Sequence, residues 1–326
     1  FLFKLINLVI TIISMLNFLY CLDSNYNQQF LTSFRSVLDN LDEKANFFVI
    51  HKNPATLNQL IANVNFEHSN INELKIYKFK EEIKEFPNLE NNHISEATYY
   101  RFFLDNYINK NIENIIYLDC DIICLNNPKN ILDEFISKLN TTKTPIAAST
   151  EYIKSSKTEE VFNRLEMSSN IYFNAGVMII NVNEWRNRNI QKSLVELMID
   201  IFDKVDFWDQ DIMNCFFDGN FIELSKYLNF KDTFSQTITK NDETRSIIFL
   251  HYAGSNKPWT IPGVITSFAS FFHRSYYQVF HKKYLLTNRY RRKALKDLLR
   301  IVFSFKIFNI DHPFVFIKLA IESLKK

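Results

Sequence analysis

Between Asn17 and Ile123 short apolar runs alternate with longer amphipathic ones, and that alternation leaves few folds open. Asn17–Leu22, "ANFFVIHK", "ELKIYKF" and "NIIYLDCDII" have the length and the apolar make-up of strands. Asn27–Asp39 places Phe30, Leu31, Phe34 and Leu38 on one face of a helix, and Pro54–Val64 reads as a second. Ser95 can cap a third, running to about Tyr107. Its apolar stripe is Tyr100, Phe103, Leu104 and Tyr107, which leaves Arg101 off that face. The order βαβαβαβ predicts an α/β domain on an open, largely parallel sheet with helices on both faces. The second half is mixed, with strands at "TPIAAST", "AGVMIINV" and "SIIFLHYAG" and helices from about Asn183 and over "DQDIMNCFF". Ligands of such sheets sit beyond the carboxyl ends of strands. Asp23 and Asp119 both fall at such ends.

Composition narrows what those ends can hold. Only four glycines occur in 326 residues, which excludes glycine-rich phosphate loops of the GxGxxG or GxxxxGK[ST] kind. Any nucleotide must have its phosphates managed by other means. Four cysteines, two of them at Cys120 and Cys124 with no second pair of Cys or His at zinc spacing, read as buried thiols in a reducing cytoplasm. The formal net charge of +2 hides an asymmetry: from Val264 to Lys326 there are 13 Lys and Arg against 3 Asp and Glu. An acidic body therefore carries a basic, aromatic tail.

Four segments carry chemistry. In "YLDCDII" the two carboxylates Asp119 and Asp121, if on a strand, face one side and repel unless a cation joins them. Oxygen ligands suit magnesium or manganese, which commonly bridge carboxylates and nucleotide phosphates; a solvated turn is the plainer reading. In "HYAGSNKPW" His251 could complete a cation's ligands, Gly254 could admit backbone N–H groups to phosphate, and Lys257 could neutralise it. The imidazole tips the choice of metal towards manganese. In "YFNAGVMIINVNEWR" Asn174 offers a donor and an acceptor at a strand mouth, as sugar hydroxyls require, beside the small pair Ala175 and Gly176. In "FWDQDIMN" Asp209, Gln210 and Asp211 cluster at a helix start, where capping accounts for one acid but less easily for all three. All three tryptophans fall inside the last three of these segments.

Taken together, "FLYCLDSNY", "ISEATYYRFFL", "YLDCDII", "YFNAGVMIINVNEWR", "WDQDIMN" and "HYAGSNKPW" resemble glycosyltransferase family 8. The resemblance is to its bacterial lipopolysaccharide galactosyl- and glucosyltransferase branch, and covers about Asn17 to Trp259. It implies a GT-A, Rossmann-like fold, retention of anomeric configuration, a UDP-sugar donor and manganese, with magnesium as the alternative. Asp119, Asp121 and His251 would be the metal ligands. Asp23 and Asn25 match the family's uracil and ribose contacts, and Ser24, Tyr26 and Cys120 fall in the same nucleotide-contacting motifs. Gly254 and Lys257 match the diphosphate contacts. Arg101, Asn174, Ala175, Asp209 and Gln210 match positions around the donor sugar. Gln210, Asp211 and Arg101 are the catalytic candidates. Ser24 stands where galactosyl members often carry a second acid, so galactose or glucose stays open.

The expected organisation is an apolar extension or anchor over residues 1–14, a GT-A domain over 15–263 and a basic helical tail over 264–326. Basic helices with aromatic and leucine side chains suit an anionic membrane surface better than nucleic acid. That predicts a cytoplasmic protein peripheral to the inner face of the membrane, acting on a glycan or lipooligosaccharide acceptor. Two rival readings are a DxD metal-dependent phosphohydrolase and a non-catalytic sugar-nucleotide or membrane-surface protein.

Overall fold

The computed structural model describes residues 15–89, 95–231, 246–254, 257–266, 268–287 and 291–325, so the apolar segment 1–14 lies outside them. The strands are β1 (Asn17–Leu22), β2 (Ala45–His51), β3 (Ile71–Lys78), β4 (Asn114–Leu118), β5 (Ile122–Cys124), β6 (Ile146–Ile153), β7 (Ile171–Asn181), β8 (Ile222–Glu223), β9 (Phe230–Lys231) and β10 (Phe249–His251). Seven of them form one sheet in the order β3-β2-β1-β4-β7-β6-β8, and β5-β10-β9 form a second. In the larger sheet β7 alone runs against its neighbours β4 and β6; every other pair is parallel. The sheet is mixed and mostly parallel, as the alternating pattern predicts.

Parallel strands covered on both sides must be apolar on both faces. Alternate residues of the central strands sort accordingly. Leu19, Phe48, Ile115 and Tyr117 enter one core, and Phe18, Tyr20, Phe47 and Ile116 enter the other. Helices α1 (Asn27–Asp39), α2 (Pro54–Asn63) and α3 (Lys129–Thr142) bury Phe30, Phe34, Leu57 and Leu132 in the second core. Beyond α4 (Glu159–Arg164) and α5 (Val182–Asn187), helices α6 (Ile190–Asp200) and α7 (Trp208–Phe217) bury Leu194, Met198, Ile212 and Met213 in the first.

The third helix of the sequence pattern departs from expectation. Ser95 does cap it, accepting from the Ala97 N–H, but Glu96–Asn106 is a 3-10 helix. Three residues per turn put Thr98 and Arg101 on one side. Arg101, placed off the apolar face by α periodicity, is 2% exposed.

After Gly263 the chain forms α8 (Ala269–Phe280), α9 (Arg291–Phe303) and α10 (Pro313–Lys325). α8 is fastened to the domain: Phe272 and Tyr276 pack with Tyr252 and Trp259, and the Tyr276 hydroxyl donates to Gln28 of α1 (3.0 Å). α9 and α10 bury Leu298, Ile301, Phe316 and Ala320 against one another. On its other side α9 exposes Leu295, Leu299 and Phe303 at successive turns, followed by exposed Phe305, Phe308 and Phe314. Among the described residues no helix is long and apolar enough to cross a membrane.

Candidate functional site

β1 connects to β2 on one side and lies beside β4 on the other, so the crevice of the open sheet falls at the carboxyl ends of β1 and β4. A cleft of about 410 Å³ opens there. Tyr26, Arg101, Asp119, Cys120, Asp121, Asn174, Ala175, Asp209, Gln210, His251, Gly254 and Lys257 all contribute to its wall.

Asp119 and Asp121 do not share a strand face. β4 ends at Leu118 and β5 begins at Ile122, so both acids sit in the turn between, which the Ile122 N–H closes on the Asp119 carbonyl (3.3 Å). The turn delivers what strand alternation was expected to deliver. Asp119, Asp121 and His251 each offer a ligand atom, all within 4.8 Å of one another. His251 arrives from the second sheet, where β10 pairs antiparallel with β5 and sets His251 opposite Ile122. Between the acids, Cys120 belongs to the apolar core, and burial pushes its thiol well up.

The three residues fit a divalent cation. Asp121 Oδ1 is buried without a hydrogen-bond partner, and the His251 Nε2 lies 3.4 Å from it. A Cβ at Gly176 would stand 2.4 Å from His251 Cε1 and 3.0 Å from Asp119 Oδ2, so glycine keeps the space between them open. Two carboxylates and an imidazole are a donor set for a divalent metal ion. The other oxygen of Asp121 takes the Lys257 ammonium, which also donates to the Tyr252 carbonyl (2.7 Å). Burial alone would raise the Asp121 carboxyl, but Lys257 and His251 outweigh it and hold it well below the usual carboxylate range.

Arg101 ties three segments together. It donates to the Ala175 carbonyl (2.6 Å) and to Asp119 Oδ1 (3.1 Å), pairs with Asp209 (3.1 Å), and lies 3.8 Å from the Tyr117 ring centroid. Asp209 also accepts from Thr98. Burial lifts the Asp209 carboxyl to about 6, against the pull of Arg101.

The register of β6 against β7 skips between Ala148 and Ser149, which frees the Ala175 and Gly176 N–H groups from the ladder. Gln210 Oε1 accepts from Ala175 (3.0 Å) and from the Asn174 amide (3.1 Å), while Gln210 Nε2 donates to Glu151 (3.0 Å). Asn174 Oδ1 accepts from Gly176 (3.1 Å). Gly254 adopts φ +82 at the opposite rim, with open space around it.

Two expected site residues stand outside the cleft wall. Asp211, a catalytic candidate, is fully buried and turned away from the cleft. It accepts from the Asp206 and Phe207 N–H groups, from Tyr172 and from Arg164 (2.7–2.8 Å), so it braces the start of α7. Asp23 lies outside that wall too, on the turn that carries Tyr26, which belongs to it. It caps the turn Ser24–Tyr26 by accepting from the Asn25 N–H (2.8 Å), leaving Ser24 and Asn25 exposed and Tyr26 half-buried edge-on to Trp259.

Glu151 and Asn229 belong to the site and escape a sequence reading. Glu151 lies inside β6, two polar residues beyond the apolar start Ile146–Ala148, so the strand-end signal that marks Asp119 does not mark it. Asn229 sits between short elements with no such signal, yet its Oδ1 meets His251 Nδ1 at 2.8 Å.

The sequence model of glycosyl transferase family 8 matches residues 17–261. The chain belongs to glycosyltransferase family 8. A lipopolysaccharide 1,2-glucosyltransferase of Escherichia coli is 28% identical over 256 residues, covering 73% of this chain and 71% of that one. A lipopolysaccharide 1,3-galactosyltransferase of Salmonella typhimurium is 27% identical over 55% of this chain and 53% of its own. Among solved structures, the galactosyltransferase LgtC in complex with donor and acceptor sugar analogues superposes with a TM-score of 0.67 at 23% identity. That match covers 86% of this chain and all of LgtC. The likeness in fold agrees with the family.

Proposed function

We propose that this family 8 enzyme is a retaining, metal-dependent hexosyltransferase that moves galactose or glucose from a UDP-sugar to the glycan core of a lipopolysaccharide or lipooligosaccharide. The observation that carries the reading is the convergence of Asp119, Asp121 and His251 at the cleft mouth, with Lys257 against them. Those three would hold manganese, or magnesium in its place. When bound, the ion supplies positive charge where the departing diphosphate develops negative charge. The names of the E. coli and Salmonella relatives support a hexose donor and a lipopolysaccharide acceptor.

The remaining steps fall to the chain's own groups. Tyr26, with Asp23, Ser24 and Asn25 on the adjoining turn, would hold the uridine. Lys257, whose ammonium neutralises Asp121, would turn to the diphosphate, where Gly254 admits close approach. Charge stabilisation aimed at the leaving group is the main catalytic effect available. Arg101, Asn174, Asp209 and Gln210 would shape the sugar pocket, with Arg101 positioning Asp119 and Asp209. The Gln210 amide is spent on Ala175, Asn174 and Glu151, which favours an orienting role over a nucleophilic one. The acceptor would then attack on the face that UDP leaves, with the leaving phosphate taking its proton.

The tail supports a membrane-peripheral enzyme at the cytoplasmic face. Leu295, Leu299, Phe303, Phe305, Phe308 and Phe314 are exposed beside Arg291, Arg292, Lys293, Lys296 and Arg300, a pairing of apolar and basic groups that suits anionic lipid.

The test is to incubate the protein with Mn²⁺ and UDP-galactose or UDP-glucose and follow release of UDP. Slow hydrolysis of one donor, abolished by EDTA and by Asp121→Asn, is expected. Retention is read from the anomeric configuration of a glycosylated acceptor by NMR. Turnover of neither donor, with no Mn²⁺-dependent UDP binding, refutes the proposal.

A further inference from the structure

We infer that Asn229 is a positioning residue that decides which ring nitrogen of His251 carries the proton, acting through a hydrogen-bond chain whose direction is set on the sugar side of the cleft. The inference rests on the proposed role of His251 as a cation ligand.

The chain starts from two groups that have only one sense. Glu151, paired with Lys231 (2.9 Å), is a carboxylate that accepts. The Gly176 N–H can only donate. Asn174 lies between them: its Nδ2 faces Glu151 (3.2 Å) and its Oδ1 faces Gly176 (3.1 Å). Turning that amide over would set acceptor against acceptor and donor against donor in a buried place, where unmade hydrogen bonds are expensive. Asn174 Oδ1 is therefore fixed, and it also faces Asn229, which must meet it with Nδ2 (2.9 Å). Asn229 is 5% exposed, so no bulk water rescues the reverse arrangement. Its Oδ1 is thereby aimed at His251 Nδ1 (2.8 Å). An acceptor at that distance requires the proton on Nδ1. In the neutral ring the Nε2 lone pair then faces Asp121 Oδ1 across 3.4 Å, available to a cation. Hydrogen bonding at one ring nitrogen is the usual device that orients a metal-binding imidazole. Here the device is an amide whose other end holds Asn174, so the cation side and the sugar side of the cleft share one residue.

Two substitutions separate the ends of that amide. Asn229→Ala removes both bonds. Asn229→Asp keeps an acceptor for the His251 Nδ1–H, but turns a second carboxylate oxygen against Asn174 Oδ1. Mn²⁺ affinity is measured by electron paramagnetic resonance of the free ion with UDP present. Donor hydrolysis gives kcat and KM, and circular dichroism gives melting points. Asn229→Ala is expected to weaken Mn²⁺ binding by roughly 10- to 100-fold. Asn229→Asp is expected to bind Mn²⁺ as tightly as the wild type or tighter, with donor kcat/KM down by roughly tenfold. Where the alanine variant does not fold, the Asp variant carries the test alone by that same split. Wild-type Mn²⁺ affinity in Asn229→Ala overturns the inference, and so does equal loss of Mn²⁺ affinity in both variants. Equal melting-point losses with no split, as a merely structural residue would give, also overturn it. Wild-type protein that binds no Mn²⁺ with UDP overturns the cation reading itself, a distinguishable outcome.

Discussion

Gly176→Ala tests the geometry of the cleft with a single methyl group. The added carbon would lie 2.4 Å from His251 Cε1, against roughly 3.5–4.0 Å for carbon atoms in ordinary contact. The overlap is about 1 Å or more. His251 cannot simply retreat, because its ring is tied to Asn229 and its backbone is paired with Ile122. On the other side the methyl meets Asp119 Oδ2 at 3.0 Å. Forcing a methylene-sized group into a packed site costs about 1–3 kcal/mol. If the imidazole yields, Asp119, Asp121 and His251 no longer converge. The expected result is a urea-unfolding stability lower by about 1–3 kcal/mol, with Mn²⁺ affinity in the presence of UDP lower by roughly tenfold or more. A variant with unchanged stability and unchanged Mn²⁺ binding would show that the space between His251 and Asp119 is not what glycine protects.

Other substitutions probe separate parts of the molecule. Asp211→Ala should destabilise by roughly 1–3 kcal/mol, because it leaves the Asp206 and Phe207 N–H groups and the buried Tyr172 hydroxyl without their acceptor; a stable but inactive variant would return Asp211 to the catalytic candidates. Burial holds the His51 imidazole down at about 4, with Asp23 pulling the other way, so its contribution to stability is full above pH 6.5 and is lost as pH falls through about 4. Urea unfolding should therefore lose up to about 3 kcal/mol between pH 7 and pH 4, and His51→Gln should flatten that fall; parallel curves for variant and wild type sink the argument. Replacing Phe303, Phe305, Phe308 and Phe314 by serine should abolish sedimentation with anionic vesicles while leaving donor hydrolysis intact. Retained vesicle binding would remove the tail from membrane association.

The fold was legible because the periodicities are strong. Continuous apolar runs such as Phe18–Leu22 allow little but a doubly covered strand, and the facing pattern of Phe30 and Phe34 little but a helix. The acids of the site were legible because carboxylates at the ends of apolar strands stand out. What was hidden depends on departures from those periods. A 3-10 helix turns Arg101 inward, and α periodicity cannot show that. Asp119 and Asp121 converge through a turn that strand alternation imitates. Asp209, Gln210 and Asp211 are adjacent in sequence, yet two enter the cleft and one braces the helix start; only tertiary partners such as Arg164 and Tyr172 separate them. Asn229 is an ordinary asparagine until His251 is placed against it.

The carboxylate turn is also the covalent joint between the two sheets: Asp119 follows the last residue of β4, Asp121 precedes the first of β5, and His251 ends the strand beside it. An ion gripped by all three would clasp one sheet to the other. Resistance to unfolding would then become a function of ion concentration, rising by about 2.7 kcal/mol at a hundredfold excess over the dissociation constant. A slip of β10 by one residue would present Leu250 in place of His251 and undo the clasp. The small sheet therefore acts as a register gauge: loading of the cleft would report that its three strands have paired correctly.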